Sequence, residues 1–215
     1  MRRLLPLLAL LLISPAAAET LDCAVIKSTE KAFELAMDGT STVPGKEATA
    51  MKIRRQVARK ADQTIVHDVF SSSDLFLRRI YDANGFLMET FNSKDKERRV
   101  VSYSTDITKD YFGLGLPFEF KAVMKDEDGK IASDLTSAVS FIGAVTIDLG
   151  GCSYVLTKMN LLNHGTIKDK AFGNRTELWY SRELKTSLYS RSENDDGFTI
   201  ELRARDISTS FTPVE

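Results

Sequence analysis

The chain predicts a mainly β protein: a large curved antiparallel sheet of about a dozen strands, forming an incomplete or half barrel, with a two-sheet β-sandwich as the alternative. Three observations predict it. Apolar residues recur with period two, as in Phe33-x-Leu35-x-Met37, Met51-x-Ile53-x-Arg55-x-Val57 and Ile65-x-His67-x-Val69, so one face of each segment is apolar and the other wet. Three Asx-Gly dipeptides, Asn84-Gly85, Asp128-Gly129 and Asp196-Gly197, stand between strand-like runs. Helical periodicity is nearly absent; only Thr105 to Phe112 suggests a turn or two. So many sequential strands joined by short polar turns must curl or split, because a flat sheet of that width exposes two long edges.

The N-terminus is an export signal. Met1-Arg2-Arg3 precedes the apolar run Leu4 to Ile13, and Ala16-x-Ala18 supplies small residues before a cut near Ala18. The run is too short to span a membrane, and no second long apolar run follows, so no transmembrane segment is expected after cleavage. Cys23 follows Glu19-Thr20-Leu21-Asp22, which does not fit the lipid-acceptor position of a lipoprotein. The domain reading is therefore 1–18 signal peptide and 19–215 a single β domain, located in the periplasm. Removing the signal takes away Arg2 and Arg3 and no acid, leaving 27 basic against 30 acidic residues. That mild negative balance gives no reason to expect nucleic acid as a partner.

The Asx-Gly dipeptides predict three hairpins with two-residue loops. The first joins Leu75–Tyr81 to Phe86–Phe91, the second Phe118–Met124 to Ile131–Leu135, and the third Thr186–Ser190 to Phe198–Leu202. Further strands are expected over 99–104, 138–147, 153–160 and 175–180. The most loop-like stretches are 38–48 and 161–174. An even pair of cysteines in an exported chain predicts a disulfide, Cys23–Cys152, which would staple the N-terminal segment to the sheet.

Catalytic chemistry finds little footing. His67 and His164 are the two histidines, without short ligand spacing, so no metal and no cofactor is expected. His67 shares a strand face with Ile65 and Val69 and reads as an inward, satisfied histidine; His164 reads as a turn residue. There is no Gly-x-Ser-x-Gly elbow, no Ser-x-x-Lys and no phosphate loop. Gly113-Leu114-Gly115 reads as a flexible connection, and Glu193, Asp195 and Asp196 as solvated hairpin acids. Asn174-Arg175-Thr176 matches the glycosylation pattern by chance. Arg54-Arg55, Arg78-Arg79 and Arg98-Arg99 lie in strand-like segments, so each doublet sends its members to opposite faces. They are either solvent-face charges or a basic lining for an anionic ligand such as a lipid headgroup.

The C-terminal third runs from Gly151-Cys152-Ser153-Tyr154 through Trp179-Tyr180-Ser181-Arg182-Glu183-Leu184 to Phe198–Leu202. This order resembles uncharacterised proteobacterial envelope proteins, distant relatives of the half-barrels used by periplasmic lipoprotein carriers. The resemblance covers about 60 residues. It implies that Trp179, Tyr180, Ser181, Glu183 and Leu184 cap and pack a hairpin, and it brings no catalytic residue. A carrier would shelter acyl chains on an apolar inner face, for which the candidates are Phe76, Ile80, Phe86, Met88, Phe91, Phe118, Phe120 and Phe141; the same residues also suit a filled core. The leading reading is a non-enzymatic envelope protein binding a lipid, a lipoprotein or a partner protein. The rivals are an envelope hydrolase acting through His164 and a structural scaffold.

Overall fold

A computed structural model describes residues 22–28, 31–71 and 74–211, with the side chains of residues 113 and 114 excepted; the expected signal peptide lies outside the described residues. Twelve antiparallel strands follow one another among them. They are β1 (Phe33–Thr42), β2 (Thr49–Arg59), β3 (Ile65–Ser71), β4 (Asp74–Tyr81), β5 (Leu87–Asn92), β6 (Glu97–Tyr103), β7 (Phe118–Asp126), β8 (Ile131–Leu149), β9 (Cys152–Ile167), β10 (Lys170–Ser181), β11 (Thr186–Asn194) and β12 (Thr199–Ser208). Short helices α1 (Cys23–Ser28) and α2 (Tyr111–Leu114) complete the fold.

Each strand pairs with its neighbours in sequence, and β1 pairs with β12, so the sheet is a closed barrel. This corrects the expected half barrel or sandwich. The closing ladder runs from Glu34–Ser208 to Thr42–Thr199. Closure removes the edges that a meander of this size would leave unpaired. At Gly39 the closing strands approach so closely that a Cβ would stand 2.5 Å from Leu202 Cδ2 and 2.6 Å from the Glu201 carbonyl oxygen.

The three Asx-Gly hairpins are present, but with three-residue loops instead of two. In each, the glycine N–H donates to the carbonyl of the residue three before it: Gly85 to Asp82, Gly129 to Asp126 and Gly197 to Asn194. The loop-closing bonds run from Asp82 N–H to Phe86, Asp126 N–H to Lys130 and Asn194 N–H to Phe198. The glycines have φ of 91°, 78° and 81°, whereas Asn84, Asp128 and Asp196 keep negative φ. This is a type I turn followed by a left-handed glycine, whose twist suits the flanking strands.

The loop-like stretches are largely strand. Residues 38–42 belong to β1, and residues 161–174 form the β9–β10 hairpin. Its tip is Lys168-Asp169, with φ of 48° and 62°, between the paired Ile167 and Lys170. That two-residue turn usually takes Asn-Gly, so Lys-Asp gives no signal. Gly165, with φ of 151°, lies inside β9, where a Cβ would meet the Asp134 carbonyl oxygen at 2.0 Å. Close approach of β8 therefore requires glycine here, inside a strand and not at a turn.

Inward residues fill one part of the barrel with a packed core: Phe33, Leu35 and Met37 from β1, Val57 from β2, Ile65 from β3, Tyr154 and Leu156 from β9, and Leu188 from β11. Helix α1, which the sequence reading missed, adds the fully buried Ile26. Its start is capped by Asp22, whose carboxylate accepts from the N–H groups of Ala24 and Val25 at 3.0 and 3.3 Å. The Cys23–Cys152 disulfide, with Cα atoms 5.6 Å apart, ties this helix to the β8–β9 hairpin.

That bond closes a sequence separation of 129 residues. In the chain-entropy account a loop of this size stabilises the fold by up to about 4–5 kcal/mol. Paired Cys23→Ser and Cys152→Ser substitutions are expected to lower stability by about 2–5 kcal/mol. Urea denaturation of oxidised wild type and the double variant measures this; coincident midpoints would show that α1 docks without the bond.

Candidate functional site

Beyond the packed core the barrel is hollow. A partly enclosed cavity of about 570 Å³ runs between the inward faces of the strands, within the size range of small-molecule sites. Its wall is mainly apolar and aromatic: Leu87, Val101, Phe120, Leu135, Leu178 and Leu202 are representative.

One end is stoppered by aromatic side chains. Phe86, at the start of β5, meets Tyr103, Phe112 and Phe120 with ring centroids 5.3, 5.6 and 5.6 Å away. Tyr111 and Phe112 come from α2, in the long β6–β7 connection; Tyr111 stacks on Phe118 at 4.6 Å and Phe112 approaches Tyr180 at 5.7 Å. Asp82 holds the adjoining turn, its carboxylate accepting from the N–H groups of Asn84 and Phe86 at 3.0 and 2.8 Å. Tyr103 donates its hydroxyl to the Leu87 carbonyl at 2.7 Å, and burial pushes its ionisation upward.

The β10–β11 turn supports the same end. Ser181 Oγ accepts from Leu184 N–H at 3.1 Å, Leu184 is buried, and Glu183 reaches Lys27 of α1 at 3.5 Å. Trp179 faces away from the stopper, packs on Tyr189 at 4.6 Å and lies under Lys158.

Two members of the arginine doublets enter the lumen. Arg55 and Arg79 line the cavity, whereas Arg54 pairs with Glu34 at 3.3 Å and Arg78 makes a two-point contact with Asp68 at 2.6 and 2.8 Å. Arg98 pairs with Glu89, and Arg99 with Glu97. Arg55 is 7% exposed and donates through one nitrogen to Thr186 Oγ1, the Ser187 carbonyl and Ser187 Oγ, at 3.0, 3.0 and 3.1 Å. Burial lowers its pKa to about 10, which leaves it charged at neutral pH.

His67 lies opposite both Val57 and Arg79 in the sheet, is 5% exposed, and places Nε2 3.1 Å from the Lys185 carbonyl oxygen. The neutral ring with its proton on Nε2 donates to that oxygen. Tyr81 covers its face at 4.6 Å. Burial first, then Arg55 and Arg79, hold its pKa well below 6.5.

A hydroxyl-amide chain crosses another part of the wall. Ser137 donates to Asn163 at 2.6 Å, Asn163 to Asn174 at 2.6 Å and Asn174 to Ser192 at 3.0 Å. The amide nitrogen of the glycosylation-like Asn174 is thus bonded within the barrel.

The eight candidates for an apolar inner face are divided by the structure. Phe86 and Phe120 line the cavity, and Phe118 and Phe141 pack beside them, 6.5 Å apart. Phe76 is 49% exposed. Ile80 and Phe91 lie on the outer face, opposite Glu89 and Arg98, and Met88 sits at the bulge in the β4–β5 ladder, apart from the cavity wall. The wall residues not singled out from sequence, Leu135, Leu178 and Leu202 among them, sit on strands whose inner face closure alone defines. Among the described residues no cluster of three or more His, Cys, Asp or Glu side chains is arranged to hold a metal. His164 lies exposed within β9, not in a turn, opposite Thr136 and Gly173.

No protein-family model matches the chain, and no curated protein matches it. It is similar to several solved structures, three of which follow. One is the hypothetical lipoprotein YmcC from Escherichia coli, 12% identical over 80% of this chain and 86% of that one, with a TM-score of 0.40. Another is a protein of YmcC-like fold from Bacteroides fragilis, 11% identical over 82% and 95%, TM-score 0.42. The third is MucB, 12% identical over 94% of this chain and 62% of that one, TM-score 0.34.

The environment of His67 generates a pH test. Because its folded-state pKa lies below the unfolded value, the folded chain takes up fewer protons as pH falls below about 6.5, and stability declines there by up to about 1.4 kcal/mol per pH unit. His67→Gln is expected to remove that component, so the stability difference between wild type and variant shrinks as pH drops from 7 toward 5. Denaturation midpoints across this window measure it, and a pH-independent difference would contradict a neutral, buried His67.

Proposed function

We propose that this protein is a non-enzymatic binding protein of the cell envelope whose barrel encloses one apolar or amphipathic small molecule. The observation that carries the reading is the hollow, mainly apolar lumen beside a core that is otherwise tightly filled. Natural interiors are close-packed, so a cavity of this size within a well-packed barrel calls for an occupant. The export signal at residues 1–18, cut near Ala18, supports delivery to the periplasm.

Energetics favour an amphipathic molecule over a purely apolar one. Burying a chain of about ten methylenes contributes about 8 kcal/mol at ~0.8 kcal/mol each. Association costs about 4–15 kcal/mol, so the chain alone gives modest affinity and polar contacts in the wall decide the rest. The hydrolase reading would rest on His164, which is exposed on β9 opposite Thr136 and Gly173, and closure of the sheet removes the free edge that a scaffold would use.

The neutral fluorophore phenylnaphthylamine tests lumen binding. Wild type is expected to enhance its emission saturably. Leu135→Trp, which fills the lumen, is expected to weaken binding tenfold or more, and Val100→Trp, at a position 52% exposed outside the barrel, to leave it unchanged. Absence of binding to wild type, or equal binding by the Leu135 variant, would sink the proposal.

A further inference from the structure

The charge inside the barrel is one-sided. Among the described residues no aspartate or glutamate lines the cavity, yet Arg55 and Arg79 both do, beside the neutral His67. Lys185 also reaches the wall; burial lowers its pKa, and its ammonium feels Asp110 and Asp82 as well as Arg59 and Arg182, so it adds no acceptor to the lumen. The two differ in one respect. Arg55 is satisfied in part by Thr186 and Ser187. The guanidinium of Arg79 makes no ion pair or hydrogen bond among the described residues, although each outward-facing arginine of the three doublets has a carboxylate partner.

Arg79 is half-buried, so its guanidinium keeps some contact with water, but it faces a mainly apolar lumen that offers it no protein acceptor. Arg79 faces inward because Arg78 takes the outer position against Asp68, and alternation sends the next residue to the other side. His67, its cross-strand neighbour, is neutral and offers no compensation. Arg55, nearby, adds a second positive charge that disfavours the first. A bound anion would resolve both deficits: a carboxylate or phosphate accepts two parallel N–H bonds from a guanidinium fork. The hydroxyls of Thr186 and Ser187 stand at the same place. The adjoining wall, with Leu178 and Leu202, suits a hydrocarbon chain.

We infer that the lumen selects single-chain anionic amphiphiles, with the acidic headgroup held by Arg79 and Arg55 and the chain lying along the apolar wall. This rests on the proposed lumen binding and narrows it to one chemical class. The shared chemistry is an oxyanion, and a free anion is the other source that could supply it.

Calorimetric titration of the purified protein with dodecanoate, dodecanol and dodecyltrimethylammonium, each below its micellar concentration, tests the inference, with acetate as the chainless anion. Dodecanoate is expected to bind at least tenfold tighter than dodecanol, the cation to bind more weakly than either, and acetate not to compete. Arg79→Gln is expected to bring dodecanoate affinity down to that of dodecanol in the same variant, Arg79→Lys to restore part of the preference, and Arg98→Gln on the outer face to leave the wild-type preference intact. Circular dichroism establishes that each variant is folded. Equal binding of dodecanoate and dodecanol by wild type would overturn the headgroup assignment and leave lumen binding standing. Failure of all three amphiphiles would remove lumen binding itself, and acetate binding as tightly as dodecanoate would reassign the site to a free anion.

Discussion

The pairing of β1 with β12 is the interaction on which the rest depends. A meander of twelve strands has no inside until its first and last members meet, and closure creates one without adding a residue. It divides every period-two segment into a lumenal and an outer face, and it removes both edges. Closure also decides how the interior is used. Phe33, Leu35 and Met37 of β1 bring bulk to one region, where Leu188 and the first residues of β9 pack against them, and α1 is bound there by the disulfide. The remaining region, walled by β2 to β12, is left hollow, with aliphatic side chains interspersed with small Ser, Thr and Ala residues along its inward faces.

Electrostatics then distinguishes this hollow from an unfilled core. Outer-face charges are paired across strands, as Arg78 is with Asp68 and Arg98 with Glu89, in the way solvent-facing sheets usually balance themselves. Among the described residues the lumen keeps arginines and no carboxylates. A void left by imperfect packing would be lined by apolar atoms and would exclude charge, whereas this one holds cationic donors and a network of hydroxyls and amides. The combination of chain-compatible wall and unneutralised charge is the physical basis for reading it as a binding site.

Much of this was legible in the sequence. Alternation in 33–37, 51–57 and 65–69 marked strands and their inner faces, and Asn84-Gly85, Asp128-Gly129 and Asp196-Gly197 placed three hairpins. The arginine doublets indicated that the two members of each face opposite sides, and left open whether either lines an interior. Closure was not legible, because β1 and β12 meet across nearly the whole chain and a strand looks alike whether its neighbour is water or another strand. The Lys168-Asp169 turn was hidden by its composition, and Gly165 resembled a turn residue while serving a close approach within β9. The phenylalanine list mixed inner and outer positions, since Phe91 and Ile80 belong to the outer phase of β5 and β4. An aromatic residue reports burial or exposure only after its strand phase is known, and bulges near Tyr81 and Phe70 shift that phase.

The most direct measurement is a crystal structure of the protein with a dodecanoate brominated at its chain terminus, in which anomalous scattering locates the bromine. The account expects a single strong bromine peak inside the barrel against the wall that includes Leu178 and Leu202, with carboxylate density within hydrogen-bonding distance of Arg79. A peak confined to the outer face, with the lumen occupied only by ordered water, would contradict it.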